Sequence, residues 1–282
     1  MLEILSTQPP FLITLAVILG LLIGSFLNVV IHRLPIMLER EWREQCAWLD
    51  DNELPAAVPY NLIQPRSACP RCGHLIAWYE NLPILSWLFL RGRCSACGTA
   101  ISRRYPVVEA LTGLLFGYVA WRWGASAATP ALWLLLTSLI ALAFIDLDTR
   151  LLPDNLTLPL AWAGLLVNLD GLLVPLPEAV IGALAGYLAL WMVYHLFKLL
   201  TGKEGMGFGD FKLLAALGAW LGWKMLLPIL LAASLSGAVV GIGLILFAGH
   251  DRAKPIPFGP WLVLGGLIAL FWGRDLLRFW LG

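Results

Sequence analysis

Two aspartates stand at the edges of apolar stretches. Asp146 closes Ala143-Phe144-Ile145-Asp146-Leu147-Asp148, and Asp210 follows three glycines in Gly205-Met206-Gly207-Phe208-Gly209-Asp210. An acid in or near hydrocarbon is costly, so it faces a protein interior or a watery cavity and marks a function. Two such acids brought together share one proton, because like charges a few ångströms apart do not both ionise cheaply. One carboxylate then takes a proton from water while the other gives one to a peptide carbonyl, which is the chemistry of an aspartic protease. The same two residues suit a proton relay or an ion site in a transporter, and their spacing alone leaves both readings open. The glycines before Asp210 give the chain backbone angles closed to other residues and let it approach an extended substrate. Asp210 also falls at an expected helix N-terminus, where a carboxylate has an ordinary capping role. Asp148 and Asp154 are read as interfacial or capping residues.

Four of the five cysteines form two pairs, Cys69-Pro-Arg-Cys72-Gly and Cys94-Ser-Ala-Cys97-Gly, separated by 21 residues. Two such turns offer four thiolates in tetrahedral reach of one Zn2+, and the glycine after each lets the backbone fold back toward the metal. A closed four-thiolate site is structural and leaves no position for substrate. In an insert of about 70 residues the metal would supply much of the folding free energy. His74 is an alternative ligand, but four Cys already fill the shell, and Cys46 lies outside the pattern.

These residues must be held by membrane helices. The chain has 282 residues, 60% hydrophobic and 13% charged, against roughly 45–50% and a quarter in soluble domains. A net charge of +1 and the lack of a clustered basic face argue against nucleic acid as a partner. The 14 tryptophans suit headgroup interfaces. Apolar runs at about 11–32, 107–121, 130–146, 156–173, 179–197, 212–223, 225–248 and 258–273 predict an all-α polytopic membrane protein with about eight transmembrane helices. The zinc-stapled insert lies between the first and second. The expected division is a first span over 1–32, a cytoplasmic insert over 33–105 and a membrane part over 106–282. The interval from Arg33 to Tyr105 carries nine of the 19 Lys and Arg residues, which holds it in the cytoplasm. With the N-terminus outside, Arg150, Lys198, Lys203, Lys212, Arg252 and Lys254 also fall inside, against only Arg122, Lys224, Arg274 and Arg278 outside. The acidic Glu39, Glu41, Glu44, Asp50, Asp51 and Glu53 read as a solvated face of the insert.

Taken in order, Gly24-Ser25-Phe26-Leu27-Asn28-Val29-Val30, the two cysteine pairs, Arg104-Tyr105-Pro106-Val107-Val108-Glu109, Ile145-Asp146 with Leu152-Pro153-Asp154, and Gly207-Phe208-Gly209-Asp210 resemble the bacterial type IV prepilin peptidases. These are bifunctional leader peptidases and N-methyltransferases of the Gly-x-Gly-Asp aspartyl protease family. The resemblance runs from about Leu21 to Pro257-Phe258-Gly259-Pro260. It implies a multi-pass enzyme of the bacterial inner membrane, with its N-terminus in the periplasm and its active site facing the cytoplasm. Such an enzyme cuts the basic leader from prepilins and type II secretion pseudopilins, then methylates the new N-terminal residue, usually Phe, with S-adenosylmethionine. Carried over residue by residue, it makes Asp146 and Asp210 the catalytic pair, Cys69, Cys72, Cys94 and Cys97 the zinc ligands, 33–105 the insert linked to methyl transfer and 106–282 the peptidase domain. No Gly-x-Gly-x-x-Gly fingerprint follows a strand, so the methyl donor must be bound another way; Glu109, Asn28 and Ser25 are expected to border its pocket. The other readings are a proton-coupled transporter with a zinc-stabilised insert, which would carry its acids in mid-span, and a zinc-stapled scaffold.

Overall fold

A computed structural model describes residues 9–49, 59–247 and 256–281. Asp50, Asp51, Glu53, Arg252 and Lys254 lie outside the described residues. The eight apolar runs correspond one to one with eight long helices: α1 (Pro9–Leu49), α3 (Arg104–Trp123), α4 (Ala128–Thr149), α5 (Asp154–Val167), α6 (Leu176–Thr201), α7 (Phe208–Leu221), α8 (Leu226–Phe247) and α9 (Gly259–Leu281). A short helix, α2 (Leu85–Phe89), belongs to the insert, and among the described residues there is no strand beyond two isolated bridges. Four helices are long and apolar enough to cross a bilayer by length and composition alone: α1, α4, α6 and α8, the last counted with the turn before it. α5 and α7 have only 14 residues each.

The chain divides into two compact units, Met1–Ala141 and Leu142–Gly282. In the first, α1 and α3 pack through small residues. A Cβ added to Gly20 or Gly24 would lie 2.8 Å from the Gly113 Cα and 2.7 Å from the Glu109 Cα, respectively. Only such stripes let helix backbones approach closely in lipid. Phe116 stacks on Trp133 at 5.0 Å, and the Trp133 indole donates to the Phe116 carbonyl. The apolar run of α1 ends near His32 as expected, but the helix continues to Leu49 through Pro35. The insert anchors the start of that extension: Arg33 donates to the Asn61 and Pro65 carbonyls at 2.9 and 2.6 Å, and Tyr60 lies against the guanidinium groups of Arg33 and Arg40.

In the second unit, α7 is the central helix. α6 crosses it where Gly182 meets Gly218, so closely that a Cβ on either would run into the other's backbone. α5 packs on its other flank, with the Trp220 indole donating to the Leu160 carbonyl at 2.8 Å and filling the space beside Gly164. Asn168, fully buried after α5, donates to the Ala219 and Trp220 carbonyls and accepts from the Leu173 and Val174 N–H groups. That side chain satisfies the backbone of the turn, as a buried polar group requires. Gly218→Val forces the α6 and α7 backbones apart and should cost about 1–3 kcal/mol, the usual penalty of overpacking. A lower thermal midpoint in detergent measures it, and an unchanged midpoint would contradict this packing.

Candidate functional site

Asp146 lies in the last turn of α4 and Asp210 in the first turn of α7, in the same unit. They are buried, 5% and 7% exposed, and close enough for the charge of Asp146 to act on Asp210. The structure thus brings the two sequence-predicted acids together at helix ends. Gly207 directs its backbone N–H at the Asp210 carboxylate. Asp146 accepts from the Gly259 N–H at 2.9 Å, at the start of α9, and lies near the charge of Arg150. Arg150 itself has φ +57°, a left-handed conformation that costs a non-glycine residue of order 1–3 kcal/mol and recurs at functional sites. It turns the chain sharply after α4 so that Leu152 enters the core of the site. Leu152 contacts both Gly209 and Gly259.

Asp154 and Lys212 form an ion pair, Nζ to the two carboxylate oxygens at 2.6 and 2.8 Å, which ties the first turns of α5 and α7. The sequence expectation of an interfacial or capping role missed this partner, 58 positions away. Aromatic rings line the α6 side of α7: Phe208 lies 5.4 Å from Tyr194 and 5.3 Å from Phe211.

In the first unit the cysteine pairs form two hairpin turns, closed by the bridges Ala68–Leu75 and Arg93–Ala100. Cys69 N–H donates to the His74 carbonyl and Cys94 N–H to the Thr99 carbonyl, and Gly73 and Gly98 take positive φ after each pair. The four Sγ atoms lie within 4.8 Å of one another, with Cys69–Cys97 at 3.8 Å and Cys72–Cys94 at 4.0 Å. Metal–sulfur bonds of about 2.3 Å in a tetrahedron put sulfurs about 3.8 Å apart, so these thiols fit a single Zn2+. His74 is not among them. Its Nε2 meets Glu80 at 3.1 Å and Ser95 at 3.3 Å, linking both turns to the following 3₁₀ turn. The Ser95 hydroxyl and the Ala77 N–H hold the Glu80 carboxyl down at about 2.

Glu109, Ser25 and Asn28 also come together, where α3 begins beside α1. The Ser25 hydroxyl faces Glu109, whose Oε2 accepts from the Ile84 N–H at 2.7 Å. Ile84 has φ +60°, so this buried carboxylate holds a strained turn of the insert. The Asn28 amide donates to the Tyr105 and Gly24 carbonyls. Apart from the Ser25 contact, these bonds are to backbone.

Fold and site together define a polytopic helical membrane protein with a paired-carboxylate centre and a four-cysteine insert. The family model "Bacterial Peptidase A24 N-terminal domain" matches residues 18–123, and "Type IV leader peptidase family" matches residues 133–242. Proteins named prepilin leader peptidase/N-methyltransferase are similar over the whole chain. That of Aeromonas hydrophila is 58% identical, covering 100% of this chain and 98% of its own length. That of Aeromonas salmonicida strain A449 is 57% identical with the same coverage. That of Pseudomonas aeruginosa is 50% identical, covering 100% and 97%. No solved structure matches. The chain belongs to the type IV leader peptidase family.

Proposed function

We propose that the protein cleaves the basic leader peptide from type IV prepilins and type II secretion pseudopilins and then methylates the new N-terminal residue, usually Phe. The observation that carries the first half is the buried pair Asp146 and Asp210 at adjoining helix ends. Water, activated by the ionised carboxylate, adds to the scissile carbonyl while the protonated carboxyl gives its proton to the carbonyl oxygen. The tetrahedral intermediate then breaks its C–N bond, and the amine leaves with the proton that water surrendered. A transporter would carry such acids in mid-span, whereas both lie in terminal turns. The substrate's apolar helix docks among the lipid-facing helices and leaves its basic leader in the cytoplasm, with the scissile bond at the boundary. This follows from the inner-membrane orientation, N-terminus outside, that the Lys and Arg distribution favours.

Methyl transfer belongs to the first unit in this reading, with residues 33–105 as the part linked to it. S-adenosylmethionine supplies an activated methyl group; Glu109, Ser25 and Asn28 border its pocket, the carboxylate being the group suited to its cationic and hydroxyl-bearing parts. The α-amine must reach that pocket deprotonated to act as nucleophile. Cys69, Cys72, Cys94 and Cys97 hold one structural Zn2+ that fixes the insert. The test is to incubate the purified protein in lipid nanodiscs with a prepilin and isotopically labelled S-adenosylmethionine. Mass spectrometry should find a leader-free product carrying one labelled methyl. An intact prepilin after prolonged incubation would refute the reading.

A further inference from the structure

We infer that Gly259 is a positioning residue of the cleavage site: its backbone N–H at the start of α9 aims the Asp146 carboxylate, and only a residue without a side chain leaves room for it. The inference rests on the aspartate chemistry proposed above. Gly259 N–H donates to Asp146 Oδ2 at 2.9 Å across 113 residues of sequence, in a buried setting. The first N–H groups of a helix have no intrahelical partner. Here Pro260 has none to offer, and Trp261 and Leu262 both direct theirs at the Phe258 carbonyl. The N–H of Gly259 is left for Asp146. With no N–H on Pro260 and those of Trp261 and Leu262 engaged, the donor at Gly259 meets one carboxylate oxygen at a helix N-terminus.

The choice of glycine follows from space and not from backbone freedom, since Gly259 is not among the residues with positive φ. A Cβ there would lie 2.6 Å from Asp146 Oδ2, 3.2 Å from its Cγ and 3.2 Å from Leu152 Cδ2. Something must move, and the closest atom is the carboxylate oxygen itself. Leu152 cannot yield freely, because its other side touches Gly209, where a Cβ would lie 2.7 Å from the Leu152 Cβ. Gly209 adjoins Asp210 in sequence. One leucine is thus wedged between the backbone that carries Asp210 and the backbone that holds Asp146, so a side chain at 259 displaces the pair as a whole.

The test compares wild type, Gly259→Ala, Asp146→Asn and Asp210→Asn, each full-length in nanodiscs, for prepilin cleavage and for methyl transfer to a pre-cleaved pilin. Gly259→Ala should lower kcat for cleavage by about 100-fold, the scale at which an ångström of misplacement acts. Its KM should stay within about twofold and its methyl transfer should match wild type, a split that a general loss of structure does not produce. A kcat within a few-fold of wild type overturns the inference. If Gly259→Ala loses both activities, the decision passes to an amide-to-ester replacement at 259 (glycolate for glycine), which removes the N–H and adds no side chain. A fall in kcat of about tenfold supports the bond, and an unchanged kcat overturns it. Normal cleavage by Asp146→Asn or Asp210→Asn would instead sink the aspartate reading itself; inactive aspartate variants beside a fast Gly259→Ala sink only the role of Gly259.

Discussion

Asp146→Asn and Asp210→Asn should each lower prepilin cleavage by about 1,000-fold or more, since each removes one half of a proton exchange that contributes about 10²–10⁴. The amide keeps the size of the carboxylate, so packing against Gly259 and Gly207 is preserved. An Asn at 146 still accepts from Gly259 through its carbonyl oxygen, but it cannot take a proton from water. The double variant should be no worse than either single one, because groups acting as one unit lose their function together. Asp146→Glu should also be inactive despite its charge, because an added methylene has no space beside Gly259 and Leu152. Methyl transfer to a pre-cleaved pilin should be unaffected in all of them, as Ser25, Asn28 and Glu109 lie in the other compact unit. The assay is single-turnover cleavage of a prepilin in nanodiscs; near-normal rates in either Asn variant would reject the pair.

The second large effect concerns the four cysteines. The purified protein should hold one zinc per chain, and Cys72→Ser or Cys97→Ser should lose it. Binding by such a site contributes about 10–16 kcal/mol in small zinc domains, most of which is folding free energy. The described part of the insert has little else to fold on: between Tyr60 and Arg103 nearly every residue is at least partly exposed, and Trp78 and Phe89 are 79% and 84% exposed. The Cys→Ser proteins should therefore be cut rapidly by protease between the first two membrane helices, while the second unit resists. Methyl transfer should fail and cleavage should persist. Elemental analysis and limited proteolysis read the two effects. Full protease resistance in a zinc-free variant would remove the metal from this account.

What the sequence made legible tracks the range of the interaction. Eight apolar runs anticipate eight helices because hydrocarbon selects composition locally. The cysteine turns are equally local, each complete within a few residues. Edges were less readable. The run at 156–173 is broken near its end by Asn168, Asp170 and Gly171, and α5 stops at Val167, where Asn168 takes the following turn into its own hydrogen bonds. Nor does hydropathy anticipate α1 continuing past His32, since its extension meets the insert through Arg33 and Arg40 while residues 39–49 are almost wholly exposed. Asp146 and Asp210 could be nominated by type and setting, but their approach depends on how α4 and α7 pack. Gly259 carries only one signal in the sequence, a glycine between prolines at a helix start. The partnership of Glu109 with Ile84, and that of Asp154 with Lys212, left no sequence mark at all.

α5 and α7 are unusually short for helices of a membrane protein. At about 1.5 Å per residue, a 14-residue helix reaches about 21 Å, well short of a hydrocarbon layer of about 30 Å. α7 is enclosed by its neighbours, but α5 has an exposed face, and a bilayer meeting so short a helix thins beside it or is invaded by polar loops. The cleavage proposed above consumes water, and a thinned layer beside the short α5 shortens the path that water must travel to reach Asp146 and Asp210.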